Sequence, residues 1–281
     1  MVRSMKILGT LLLFILIFAF SQLSAVLLVT WLYGTSVSEV MSSSFGFMIT
    51  YVVAMSLALL VVAVWSRLRD VPTGKIEHSK AGFSPTYILF GVVLLMALSV
   101  VLMPLSDILP ADGRSIPRGG WTILAVILFA PIFEELLFRV KLYDILLRDV
   151  TPFWAVMLSS LCFGVVHLEP IVAIEATLSG VIFSYFYIQR RSIFTAIILH
   201  MINNAFAYLI LMVKYQERTA LDVVSGMNYF GVLYAVSVAV VLFAAIKIVR
   251  RLRKQKFILA YLLAEELAAE EEEHTKSDET V

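Results

Sequence analysis

The stretch Pro131-Ile132-Phe133-Glu134-Glu135-Leu136-Leu137-Phe138-Arg139 places two adjacent acids and an arginine inside a long apolar segment. Ionisable groups at membrane depth are costly unless they are paired or reach a water-filled cavity, and they usually mark a functional site. Three such groups in nine residues therefore predict polar partners elsewhere in the chain.

The composition predicts a membrane protein. Of the 281 residues 60% are hydrophobic and 15% are charged, and the mean hydropathy of +0.93 is well above that of a soluble domain. The formal net charge of +1 provides no general attraction to nucleic acid, which we do not expect as a partner. The one cysteine, Cys162, excludes an intrachain disulfide, and its apolar neighbours indicate a small buried side chain.

Hydropathy divides the chain into about eight spans, since each needs about 20 apolar residues. We predict an all-α polytopic membrane helix bundle with a polar intramembrane cavity, formed as a single transmembrane domain over residues 1–256. Residues 257–281, rich in Ala, Leu and Glu, are expected to form a cytoplasmic acidic tail, helical or disordered. The predicted spans are 7–33, 45–65, 87–105, 121–147, 153–167, 171–188, 193–213 and 229–248.

Lysine and arginine in the short loops predict the orientation, because cytoplasmic loops carry an excess of them. In an eight-span bundle one side receives the basic clusters within 67–80, 139–148, 190–191 and 247–256. The opposite side receives only Arg114, Arg118, Lys214 and Arg218. We therefore expect a multi-pass protein of the cell membrane with both termini in the cytoplasm.

The two adjacent acids are predicted to play different parts. Glu135 and Arg139 are four residues apart and lie on one helix face, with the acid on the N-terminal side as an ion pair prefers. Glu134 points about 100° away and would remain free to act as a base.

Two further spans carry polar side chains at one-turn spacing. His167 follows Phe163 by four residues, which puts an aromatic ring beside the imidazole, and Asn204 follows His200 by four residues. A single membrane histidine is more often a hydrogen-bond donor between helices than a catalyst. Glutamates and histidines collected on three helices are harder to explain as packing alone.

The chemistry of this set suits hydrolysis by an activated water. Carboxylates and imidazoles can take and return protons, and neutral donors can stabilise an oxyanion. Zinc held by Glu134, His167 and His200 is an alternative, less favoured because the helical His-Glu-x-x-His pattern is absent. A serine mechanism through Ser179 is also less favoured, since Thr177 stands where the leading glycine of Gly-x-Ser-Gly belongs.

These residues resemble the motifs of the CAAX protease and bacteriocin-processing family (CPBP, or Abi), which contains the type II CAAX prenyl endopeptidases. Glu134-Glu135-x-x-x-Arg139 matches the first motif, Phe163-x-x-x-His167 the second and His200-x-x-x-Asn204 the third, in that order. The resemblance covers about 121–206. It departs from the family at Arg190-Arg191-Ser192, where relatives often have Thr-Gly-Ser.

The resemblance implies a metal-free intramembrane glutamate endopeptidase without cofactors, with a cavity open to the cytoplasmic side. Glu134 with His167 would activate water, and His200 with Asn204 would form the oxyanion hole. Glu135 with Arg139 would position the substrate or the site. The expected partners are the lipid bilayer and a peptide or protein substrate, prenylated or otherwise membrane-associated.

Two other functions stay open on the sequence alone. The first is a non-catalytic membrane scaffold, or a bacteriocin-immunity or regulatory protein, with the same fold. The second is a proton-coupled transporter that uses the same acids, which is less favoured because the sequence contains no repeated halves or paired broken helices.

Overall fold

The computed structural model describes residues 2–68, 84–109, 116–190, 192–214 and 229–278, without the side chains of 2–3, 107, 190, 211, 213–214 and 255–278. Within these ranges the chain is almost entirely helical and contains no strand. The prediction of an all-α polytopic membrane bundle is confirmed.

The described helices follow the predicted spans closely. In chain order they are α1 (Val2–Tyr33), α2 (Val37–Ser42), α3 (Ser44–Leu68), α4 (Pro85–Ile108), α5 (Gly120–Ile123), α6 (Ala130–Glu135), α7 (Tyr143–Leu147), α8 (Pro152–Val165), α9 (Pro170–Arg190), α10 (Ile193–Lys214) and α11 (Phe230–Asp278). The short α2 was not predicted.

The fourth predicted span is one helical run that changes its hydrogen bonding twice. Two π-helical segments, Leu124–Phe129 and Leu136–Leu142, join α5 to α6 and α6 to α7. We call residues 120–147 the site helix. Short π-helical segments inside α-helices often occur at functional sites, and these two flank the segment that ends with Glu134 and Glu135.

Six helices in the described part of the chain are long and apolar enough to cross a membrane by length and composition. They are α1, α3, α4, α9, α10 and the first half of α11. The two other predicted spans are the site helix and α8. With 14 residues, α8 rises about 21 Å and is too short to cross a hydrocarbon core of about 30 Å without help.

Two predictions concern parts of the chain that the structure describes incompletely. Several of the basic loop residues that indicate the orientation, among them Lys75, Arg114 and Arg218, lie outside the described residues, and the orientation stays a prediction. The backbone of α11 continues without a break to Asp278, which makes the described backbone of the acidic tail helical.

Helix packing brings three elements against the site helix. It lies against α3 on one side and α10 on another, and its second π-helical segment lies against α8, which packs along α9. Buried aromatic rings continue this core from α1 through the site helix to α8: Phe138 meets Phe14 at 5.3 Å and Phe163 at 5.1 Å between centroids, both edge to face.

The fifth and sixth predicted spans, separated by residues 168–170, form a tight hairpin. Pro170 opens α9, and Leu168 in the preceding turn has a positive φ of 65°. Close approach of α8 and α9 requires Gly164, because a Cβ there would collide with the Thr177 side chain and the Ala173 carbonyl. This approach holds the end of α8, and with it His167, against the bundle.

Candidate active site

The site helix changes its hydrogen bonding where Pro131 interrupts it. The Ala130 N–H donates to the Ala125 carbonyl, five residues back. The Val126 carbonyl therefore lacks Ala130 as a donor, and Pro131, the next residue along, has no N–H to offer. The side-chain Nδ2 of Asn204 on α10 donates to this carbonyl at 2.9 Å. Asn204 thus ties α10 to the site helix one turn before Pro131.

Glu135 is the fully buried acid of the pair, with 0% of its side chain exposed. Its Oε1 accepts a hydrogen bond from His200 Nδ1 at 2.8 Å, and its Oε2 lies 3.3 Å from Arg139 Nε. The ion pair predicted from the four-residue spacing is present. Both carboxylate oxygens thus face a donor or cationic group, as a buried carboxylate requires.

Arg139 is held by aromatic rings as well as by Glu135. Its guanidinium carbon lies 4.3 Å from the ring centroid of Phe163, 5.6 Å from that of Phe183 and 6.0 Å from that of Phe138. Among the described residues none of its three guanidinium nitrogens has a hydrogen-bond acceptor, although Nε lies within ion-pair distance of Glu135. Attraction between the guanidinium and the ring faces offsets part of the cost of burying the charge.

His200 lies between the two acids. Since an ionised carboxylate only accepts, Nδ1 carries the hydrogen that Glu135 receives, and Nε2 lies 3.5 Å from Glu134 Oε2. The ring stacks on Phe183 at 4.6 Å with 20° between planes.

Glu134 differs from its neighbour because it is partly exposed. Its side chain is 13% exposed. Its Oε1 accepts a hydrogen bond from the Tyr51 hydroxyl of α3 at 2.7 Å, and its Oε2 faces His200. In the described part of the chain Arg139 forms its ion pair with Glu135 rather than Glu134. The adjacent acids thus occupy the unlike environments that the sequence indicated.

His167 stands in the turn after α8, half-buried. Its Nδ1 lies 2.7 Å from the Phe163 carbonyl, so Nδ1 carries a hydrogen and Nε2 keeps a lone pair that can accept a proton. The predicted contact with the Phe163 ring is present, edge to face at 5.0 Å. Within 4.0 Å, the described ion-pair partners of Glu134 and Glu135 are His200 and Arg139. His167 is not among these described partners.

In their observed positions the candidate zinc ligands Glu134, His167 and His200 do not form a ligand set. Both ring nitrogens of His200 face carboxylates, and His167 stands apart from the glutamates. Among the described residues no three His, Cys, Asp or Glu side chains are grouped closely enough to hold a metal ion. Metal dependence itself stays a prediction for experiment.

Three residues important to the geometry were not predicted as parts of the site. Tyr51 binds Glu134, and Phe183 stacks on His200. Phe163 was noted only beside His167, but it is the common neighbour of His167, His200 and Arg139. Nothing in the sequence marked Tyr51 or Phe183, which stand among many other aromatic residues in apolar spans.

Two other polar residues of α9, Ser179 and Glu175, lie outside this cluster. The Ser179 hydroxyl donates to the carbonyls of Glu175 and Ala176 in its own helix, which gives no support to a serine nucleophile. The side chain of Glu175, to which the sequence assigned no role, is exposed.

Comparisons with known proteins agree with the three motifs. Residues 117–206 match the family model described as type II CAAX prenyl endopeptidase Rce1-like. Over 84 residues the chain is 30% identical to a Bacillus subtilis (strain 168) protein named "Putative membrane peptidase YdiL", a match that spans 30% of this chain and 34% of that protein. No solved structure gives a significant match. The resemblance to the CAAX protease family is confirmed, and the comparisons support a membrane protease.

Proposed function

We propose that the protein is an intramembrane endopeptidase that hydrolyses a peptide bond near the membrane surface with a water activated by Glu134. The observation that carries this proposal is the unlike state of two adjacent acids. Glu135 is fully buried, with Oε1 hydrogen-bonded to His200 and Oε2 3.3 Å from Arg139 Nε, whereas Glu134 is 13% exposed. A structural polar network has no need of a second, partly exposed carboxylate at this cost.

In the proposed reaction Glu134 takes a proton from water while the water oxygen attacks the scissile carbonyl carbon. The carbonyl electron pair moves to its oxygen, which His200 and the second amide hydrogen of Asn204 would stabilise. When the oxyanion collapses, the C–N bond breaks and the amine leaves with the proton held by Glu134. His167, with its free Nε2, would pass protons between this site and water.

Glu135 and Arg139 would act by position in this scheme. Glu135 fixes the hydrogen on His200 Nδ1 and so determines which nitrogen faces the substrate. Arg139 pairs with Glu135 and lies against the Phe163 ring. The hydrogen bond from Asn204 to Val126 uses one amide hydrogen and leaves the other for the oxyanion.

The experiment that tests the proposal compares membranes from cells that express the wild-type protein or the Glu134→Gln variant at equal levels. We expect peptidomics to find peptide products in the wild-type membranes that are absent from the Glu134→Gln membranes. The purified protein should then cleave a synthetic copy of such a substrate, and Glu134→Gln should lose at least about 10² in rate, the usual contribution of a general base. Full cleavage by Glu134→Gln would contradict the mechanism.

The same strains test the alternative that the protein is a non-catalytic scaffold. If Glu134→Gln and His200→Ala, expressed normally, still support the cellular phenotype of the wild type, the fold acts without cleavage. Retained cleavage in the presence of strong chelators, with metal analysis of the pure protein, tests the metal-free mechanism. Matched synthetic peptides with and without a C-terminal prenyl group test whether the substrate is prenylated.

A further inference from the structure

Tyr51 lies outside all three motifs and outside the matched segment 117–206, yet it contacts the candidate base directly. Its hydroxyl donates to Glu134 Oε1 at 2.7 Å, across 83 residues of sequence. This is the short distance expected when a hydroxyl donates to a charged carboxylate. A bond of this kind contributes more than one between neutral groups.

The phenol is held by a rigid part of the bundle. Met48, Met55, Ala58 and Val62 of α3 are buried, with exposures between 0% and 6%, and Tyr51 lies one turn before Met55 on this core-facing side. Because α3 packs against α1 and against the site helix, its register fixes where the hydroxyl can reach. Glu134 therefore has one donor on α3 and one histidine on α10, on opposite oxygens.

The two contacts are unequal. His200 Nε2 stands 3.5 Å from Oε2, beyond the usual length of a good hydrogen bond, so the close partner of Glu134 is Tyr51. Without this hydroxyl the carboxylate could rotate about its terminal bond, a soft torsion in glutamate. The oxygen that faces His200 would then no longer be fixed.

We propose that Tyr51 is a positioning residue that fixes the Glu134 carboxylate by holding Oε1, so that Oε2 faces His200 and the attacking water. The proposal rests on the proposed function of Glu134 as the base. Tyr51 does not touch the substrate; it acts through Glu134. The phenol would thus extend the site beyond the family segment to the third helix of the chain.

The test uses the Tyr51→Phe variant, which removes one oxygen and keeps the ring. Its matched control is Tyr234→Phe on α11, where the half-buried tyrosine makes a ring contact with Phe230 and has no described hydrogen bond through its hydroxyl. With the substrate found by peptidomics, Tyr51→Phe should lower kcat by about tenfold to a hundredfold and leave KM near its wild-type value. Tyr234→Phe should change neither constant.

A spectroscopic measurement tests the contact without any substrate. In protein with ¹³C-labelled glutamate, the infrared difference between wild type and Glu134→Gln identifies the carboxylate band of Glu134. Tyr51→Phe should shift this band because its hydrogen bond is lost, and Tyr234→Phe should leave it unchanged. Thermal unfolding of each variant provides the check on folding.

The outcomes separate this inference from the proposed function. If Glu134→Gln is inactive while Tyr51→Phe retains full kcat and an unshifted band, Tyr51 is only a packed core tyrosine and the inference is wrong. If Tyr51→Phe shifts the band but Glu134→Gln remains fully active, the contact exists and the proposed base is wrong.

Discussion

Replacing Gly180 by alanine tests how the buried arginine is held. Gly180 lies on α9 beside Arg139, and a Cβ at this position would stand 2.9 Å from Arg139 Nη2, 3.1 Å from Phe163 Cδ1 and 3.2 Å from Ser160 Cβ. Ordinary contact begins at 3.4 Å, so the guanidinium must move by about 0.5 Å. It has little room, because the Phe163 ring centroid lies 4.3 Å from its central carbon and Glu135 Oε2 lies 3.3 Å from its Nε.

The magnitude follows from two opposing effects. Alanine in a helix is favoured over glycine by about 1 kcal/mol, and overpacking a well-filled core costs about 1–3 kcal/mol. We therefore expect stability to fall by between zero and about 2 kcal/mol, so that the protein still folds. Active sites require placement within about 0.5 Å, and moving Arg139 moves Glu135 and His200 with it, so cleavage should fall by about tenfold.

The assay pairs cleavage of the identified peptide with thermal unfolding of the purified protein. Gly9→Ala on α1 is the matched control, since nothing lies within 4 Å of a Cβ there, and it should keep full activity with equal or higher stability. The reasoning would be refuted if Gly180→Ala behaved like Gly9→Ala in both measurements.

Two further substitutions test contacts that hold the site helix. Asn204→Ala leaves the Val126 carbonyl without its side-chain donor and should lower the free energy of unfolding by about 1–3 kcal/mol, whereas Asn203→Ala should have less effect; equal thermal unfolding of the two would contradict this role. Arg139→Lys keeps the charge but loses the planar contact with Phe163. We expect the free energy of unfolding to fall by about 2 kcal/mol, the value for a desolvated cation–π contact. Arg67→Lys at the exposed end of α3 is its control, and unchanged thermal stability of Arg139→Lys would show that the stacking contributes nothing.

Contacts within one helix were predictable from spacing. The Glu135–Arg139 ion pair and the Phe163–His167 ring contact are each formed between residues four apart, because the helix period alone brings such side chains together. The tight turn at Pro170 was predictable for a similar reason, since proline favours the first turn of a helix. The π-helical segments were not predicted, although Pro131 inside an apolar helix was a signal that nearby carbonyls would need other donors.

The sequence by itself determined the class of the protein, the course of its helices and the three motifs, because hydropathy and the helix period act locally along the chain. Only the tertiary structure decided that His200 stands between Glu134 and Glu135, that Tyr51 holds the first of these acids and that Phe183 stacks on the histidine. These contacts depend on how each helix is rotated and tilted against its neighbours. Packing of many side chains sets that rotation, and no local pattern in the stretch 131–139 predicts it.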